Sequence, residues 1–265
     1  MTRDFADDKV EEYRRKGDRH EAAMLQSLRA QFESQRTFIL GKLDTTPTPT
    51  RGYTRKDWLS DVVEWDGFDI ELARALAPVL LTVIGETGKL AMQQVALDPS
   101  LFNTFNAAIQ AYYNGRSTKV AKDINDETEK QLRAELSQGI QAGETSFELR
   151  ACIEKVFGAA LTYRADRIAR TEVTTAQSFA DIEAWSQSGV VESKEWYTAL
   201  DERVCKFCRP MHGTVIGLRK KFFKKGDIFE GDDGKTIKLD YTDIHGPSLH
   251  GNCRCVLLPV LIAED

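Results

Sequence analysis

The chain has 265 residues, of which 42% are hydrophobic and 29% charged, an ordinary globular balance that argues against wholesale disorder. Its longest apolar stretch, Ala75 to Gly85, is far short of the ~20 residues that span a bilayer. The start, MTRDFADDK, has no apolar core, so neither a membrane protein nor a secreted disulfide scaffold is expected. The net charge of −5 excludes a generic nucleic-acid coat but hides an asymmetry, because Arg203 to Lys238 carries +6 and the remainder −11.

Residues 1–43 read as one long N-terminal helix. Leu25, Leu28, Phe32, Ile39 and Leu43 share one narrow apolar face while the other faces are charged. Such a helix needs a surface to lie on, either this chain's own body or another chain. The His20 side chain is expected on the solvated face. The run DTTPTPTRG, residues 44–52, sets two prolines among threonines, which blocks helix and marks a linker.

Residues 53–189 read as a helical domain. Trp58, Leu59, Val62 and Val63 precede a loop near Asp66-Gly67, and Leu72, Leu76, Leu80 and Ile84 continue at helical spacing. Asp98-Pro99 is a start signal, predicting a helix that buries Leu101, Phe105, Ala108, Ile109 and Tyr112 and ends at Asn114-Gly115. Leu132, Leu136 and Ile140 repeat before Gly143. Thr145 and Glu148 have capping-box spacing and open a helix with Leu149, Ile153 and Val156 on one face, closed by Gly158. Cys152 reads as a small core residue within it. A longer helix covers Tyr163 to Gln187, with small residues Ala165, Ala169, Ala176 and Ala180 that allow close packing. Arg170, Thr171 and Glu172 lie on this helix, and Arg–Glu pairing that ties it to the following module is preferred over a catalytic role.

Residues 190–265 change texture. Val190-Val191, Glu195 to Thr198, Thr214 to Ile216 and Thr236 to Leu239 favour strand, with glycines between them. The fold class is therefore α+β: a mainly helical N-terminal part with a small β-rich, zinc-stapled C-terminal module. So few apolar residues make a poor core, and a cross-link would help it considerably.

The cross-link has candidates. Cys205-Lys-Phe-Cys208 is a C-x-x-C knuckle, and His250-Gly-Asn-Cys253-Arg-Cys255 follows about forty residues later. Zinc takes four tetrahedral N or S ligands, and a two-residue spacer lets both knuckle thiolates reach one ion. Five donors for four places leave one of His250 and Cys255 surplus. A structural zinc site outranks disulfides, packed thiols and catalysis for this cluster. Asp243, His245, His250 and Asn252 are also ingredients of a His-Asn-His nuclease, but no helix follows Cys255 to complete that frame. His212, beside Gly213, reads as a turn residue. Arg219, Lys220, Lys221, Lys224 and Lys225 surround Phe222-Phe223, a pattern suited either to nucleic-acid contact or to a solvated loop with an apolar anchor.

Four segments together resemble the phage head morphogenesis family, the phage Mu protein F-like minor head proteins of tailed phages. They are TSFELRACIEKVFG (145–158), YRADRIARTEVTTAQSFADIEAWSQSG (163–189), EWYTALDERVCKFCRPMHGTV (195–215) and GPSLHGNCRCVLLPV (246–260). The resemblance covers roughly residues 125–260. It implies a non-enzymatic, low-copy minor head protein that works in procapsid assembly near the portal. Implied partners are the portal protein, the scaffolding or major capsid protein and packaged DNA, with no membrane. The implied location is the virion, in the capsid interior or at the portal vertex, after assembly in the host cytoplasm. The family's Arg-Thr-Glu maps onto Arg170, Thr171 and Glu172, its tryptophan onto Trp196, its cysteines onto Cys205, Cys208, Cys253 and Cys255, and its histidine onto His250. Gly251 departs from the pattern, which usually has Pro there. The competing class is a metal-dependent nuclease or a toxin-like transferase using the Cys/His cluster or the Arg-Thr-Glu trio.

Overall fold

The computed structural model describes residues 3–45, 57–198 and 204–263. The helices are α1 (Arg3–Thr45), α2 (Asp57–Val62), α3 (Trp65–Gln94), α4 (Ala107–Ala142), α5 (Ser146–Ala159) and α6 (Ala165–Ser188). The strands are β1 (Val191–Tyr197), β2 (Thr214–Gly217), β3 (Ile228–Glu230), β4 (Thr236–Lys238) and β5 (Val256–Leu261). This is the α+β arrangement expected from the sequence. No helix among the described residues is long and apolar enough to cross a membrane. From residue 46 on, the proline–threonine linker lies outside the described residues, as do Asp201, Glu202 and Arg203.

The chain forms two compact units, and their boundaries fall inside helices. One comprises Ala23–Val79 and Ala111–Asp166. Its core is apolar: Leu28, Phe32 and Ile39 of α1, Leu72 and Leu76 of α3, Leu132 and Leu136 of α4, and Leu149, Ile153 and Phe157 of α5 are all buried. Several of its interior polar groups are paired. Gln35 donates to Asn125 Oδ1 at 3.0 Å, and Asn125 donates to Asp69 at 2.7 Å. Arg164 donates to Thr128 and to the Ile124 carbonyl while its guanidinium covers the Phe32 ring. The capping box forms as the sequence predicts, with Thr145 Oγ1 accepting from Glu148 N and the Glu148 carboxylate accepting from Thr145 N. Gly143, at φ 79°, ends α4 while Glu144 N closes back on the Gly139 carbonyl.

The other unit comprises Met1–Ala22, Leu80–Gln110 and Arg167–Asp265. Within it α6 buries Ala169, Ala176, Ala180 and Trp185, and Tyr13 of α1 donates to the Asp181 carboxylate. A three-stranded antiparallel sheet runs β2-β1-β5, with Glu195 opposite both Val215 and Leu258. β3 and β4 form a separate hairpin.

Four local expectations are corrected. His20 is buried, not solvated, because α1 turns it onto α3, where its Nε2 meets Glu86 at 3.1 Å. Asp98 caps only a 3-10 turn, Pro99–Leu101. Gln187 then clamps Asn103 through N–H and carbonyl together, holding the chain off the helical path and leaving Leu101 and Phe105 exposed. Asn106 is the true start signal, accepting from Ala108 N, and α4 runs through Asn114-Gly115 without stopping. The end expected at Gly158 falls one residue later, at Ala159, and a π turn (Ala160–Arg164), kinked at Thr162 where φ and ψ are both −110°, leads from α5 into α6.

Candidate metal centre

The knuckle leaves β1 and returns to β2. Cys208 N and Arg209 N both close on the Cys205 carbonyl, at 3.1 and 3.0 Å, and Cys208 N also points at Cys205 Sγ, 3.3 Å away. These bonds wind the C-x-x-C backbone so that both sulfurs face the same side. A 3-10 turn (Arg209–Met211) follows, and Gly213, at φ 78°, donates to the Trp196 carbonyl to start β2. The β3–β4 hairpin braces the outside of the knuckle. Asp232 N donates to the Lys206 carbonyl, and Arg209–Asp232 and Lys206–Asp233 form ion pairs at 2.7 and 2.8 Å.

The second arm is built by residues 248–255. Tyr241 donates to the Leu249 carbonyl, Ser248 donates to the His250 carbonyl, and Thr174 of α6 donates to the Cys253 carbonyl at 3.3 Å. Asn252, at φ 65°, turns the chain between His250 and Cys253. Gly251 has a packing reason. An added Cβ would lie 3.1 Å from Cδ of Arg167, whose stem crosses this turn. The missing side chain at 251 is thus matched to the arginine at 167.

The two arms bring all five sequence-predicted donors to one cavity of about 30 Å³, whose lining includes Cys205, Cys208, His250, Cys253 and Cys255. His250 Nε2 stands 2.8 Å from Cys205 Sγ and 3.1 Å from Cys208 Sγ, and the Cys208 and Cys253 sulfurs are 3.7 Å apart. Cys205, Cys208 and His250 form one mutually close trio and Cys208, Cys253 and Cys255 a second, each with all donor atoms within 4.8 Å. Cys208, Cys253 and Cys255 are buried, whereas Cys205 and His250 sit half-buried at the rim. All five cysteines of the chain are free thiols.

Proton sharing within the cluster is uneven. The hydrogen bond with Cys208, and after it the one with His250, pull the Cys205 thiol down to about 4 against its burial. Bonds from Cys208 and Cys255 likewise hold Cys253 well below the usual thiol range. Cys208 is pushed up, first by Cys205 and then by Cys253, and Cys255 goes up because Cys253 and burial outweigh the pull of Cys208. Burial alone would lower His250, but the Cys205 thiolate and the Gly251 carbonyl raise it to about 9. The pocket therefore already concentrates thiolate charge out of water, an environment suited to a cation. These Cys and His groups could hold a metal ion.

The other predicted residues lie elsewhere. Arg170 Nε pairs with Glu21 of α1 at 3.1 Å, and Thr171 donates to the Arg167 carbonyl. Glu172 is buried. The link from α6 to the second arm runs instead through Arg167 and Thr174, two residues absent from the sequence-predicted site. Trp196 is fully buried in the module's core, edge-on to Phe222 at 5.1 Å. His212 accepts from Thr198 N, 3.2 Å away, as befits a turn residue. Of the nuclease ingredients, Asp243 is engaged with Lys221 and the Lys225 N–H. In the basic run, Arg219 pairs with Glu183 and Lys221 with Asp243, while the Lys220, Lys224 and Lys225 side chains reach solvent. Sequence reading also missed Lys194. It is wholly buried in β1, donating to the Leu218 and Lys220 carbonyls at 2.7 and 2.8 Å, so it ties down the backbone that presents the basic run.

Residues 130–258 match a family model, that of the phage Mu protein F like protein. The matched segment begins within α4 and includes both arms of the centre. No curated protein and no solved structure matches the chain.

Proposed function

We propose, from the premise that residues 130–258 carry the sequence of the phage Mu protein F like family, that this chain is a minor head protein of a tailed phage. That family points to phage head morphogenesis. The finer reading is a structural adaptor of the procapsid that joins the portal protein to scaffolding or major capsid protein and does no covalent chemistry. It would end in the virion, at the portal vertex or capsid interior. The observation that supports it most is the family match, which runs through both donor arms.

In this reading residues 190–265 are a rigid docking module held by one structural zinc. The donors are four thiols and an imidazole with no carboxylate among them, the set that zinc prefers in closed sites. The ion would fix the knuckle to the second arm, and with it the loop that carries Lys220, Lys224 and Lys225. Those three solvated cations suit the phosphates of packaged DNA or an acidic protein face.

The adaptor reading is tested by co-expression. The chain should co-purify with portal protein, and failure with portal, scaffolding and major capsid protein alike would sink it. Plasmid DNA incubated with the purified chain and Mg²⁺ or Mn²⁺ should stay intact. Cutting that His250→Ala abolishes would replace the adaptor with a nuclease.

A further inference from the structure

We propose that the fourth ligand of the centre is interchangeable: Cys205, Cys208 and Cys253 hold the ion together with either His250 or Cys255. This rests on the metal reading above and goes beyond it by assigning roles to five donors that compete for four places.

The geometry carries the assignment. Two thiolates around one tetrahedral zinc lie about 3.8 Å apart, given Zn–S bonds near 2.3 Å. The Cys208 and Cys253 sulfurs, at 3.7 Å, already have that spacing. Cys205 is locked to Cys208 by the knuckle's own backbone bonds, so it moves with it. Each trio then needs one sulfur from the other, Cys253 for the first and Cys205 for the second, with Cys208 close to both. His250 reaches the knuckle pair and Cys255 reaches the Cys208–Cys253 pair, so each completes the set from a different side. Cys208 is the one member common to both trios.

The two candidates also differ in how they would enter. His250 Nε2 sits closer to the knuckle sulfurs than the roughly 3.5 Å that separates S and N on one zinc. It must therefore retreat slightly to admit an ion, and its half-buried place at the rim allows that. Cys255 is buried at the start of β5 and needs no room from solvent. A partner that remodels the turn bearing His250 would then leave the ion in place, because Cys255 can close the set behind it.

The test uses the full-length chain, with zinc content by mass spectrometry and cobalt(II) substitution read by absorbance. His250→Ala and Cys255→Ser should each retain about one equivalent, and the double variant less than about a fifth. Thiolate-to-cobalt charge-transfer intensity in His250→Ala, with four sulfurs on the ion, should exceed that in Cys255→Ser, with three, by about a third. If one single variant loses its ion while the wild-type chain keeps its own, that residue is obligatory and interchange is refuted. Equal charge-transfer bands in the two metal-bound single variants refute it independently of the double variant's folding. A wild-type chain that binds no ion would overturn the metal reading itself, and this inference with it.

Discussion

The unit formed by Ala23–Val79 and Ala111–Asp166 and the module around the two cysteine arms are stabilised by different means. In the first, apolar side chains from four helices fill the interior, and the polar side chains Gln35, Asn125 and Asp69 bond to one another within it. Around the arms, the buried cluster is Trp196, Cys208, Met211, Leu239, Ile244, Leu249, Cys253 and Cys255. Three of these eight are candidate ligands, so the core and the candidate metal site share the same side chains. Long helices amass apolar area from periodicity alone. Short strands and loops do not, and a metal held between the two arms would offset that by removing chain entropy and joining distant segments.

The largest expected effect separates the two directly. Removing the ion with a strong chelator, or replacing Cys208 with Ser, should loosen residues 204–255, at a cost on the order of 10 kcal/mol to the module. Hydrogen exchange should show those amides losing protection while α4 and α5 keep theirs. Equal loss in both regions would mean that the centre supports the whole chain. In the opposite direction, Ile153→Ala should destabilise the helical core by about 2–5 kcal/mol, seen in urea unfolding, with the zinc content unchanged.

Lys194 gives a pH-dependent contrast within the module. Burial, and after it the Arg219 charge, lowers its pKa to about 8, below the ordinary 10.5. Between those two values the unfolded chain binds more protons than the folded one, so this group makes stability rise with pH across that window. Below about 8 both states are charged and the penalty is fully present. Relative to Lys194→Met, the wild-type chain should gain on the order of 2 kcal/mol between pH 8 and 10.5. Parallel pH profiles would show that Lys194 titrates normally. Smallest of all, Thr145→Ala removes one half of the capping box and should cost about 1 kcal/mol, read as a lower Tm with metal content unaltered.

Much of this protein was legible in one dimension. The capping box at Thr145–Glu148, the turn at Gly143 and the strands at 191–197, 214–217 and 236–238 follow from local chemistry, because each is decided by residues a few positions apart. The convergence of the cysteines and His250 was legible for the same reason, since C-x-x-C and C-x-C spacing marks thiols that can share one site. Signals that depend on distant partners misled. Asp98-Pro99 looks like a helix start until Gln187, far along the chain, seizes Asn103, and His20 looks solvated until Glu86 arrives beside it.

By itself, then, the sequence determined the fold class, the capping box at Thr145–Glu148, the five candidate donors and the family match, all properties of short spacing or residue type. Only the tertiary structure decided that Arg167 and Thr174, and not Arg170, brace the second arm, that Lys194 is buried beneath the basic run, and that Cys208 stands between two trios. The physical reason is common to all three. A side chain's charge, burial and reach depend on which remote backbone comes to lie against it, and no local pattern encodes that.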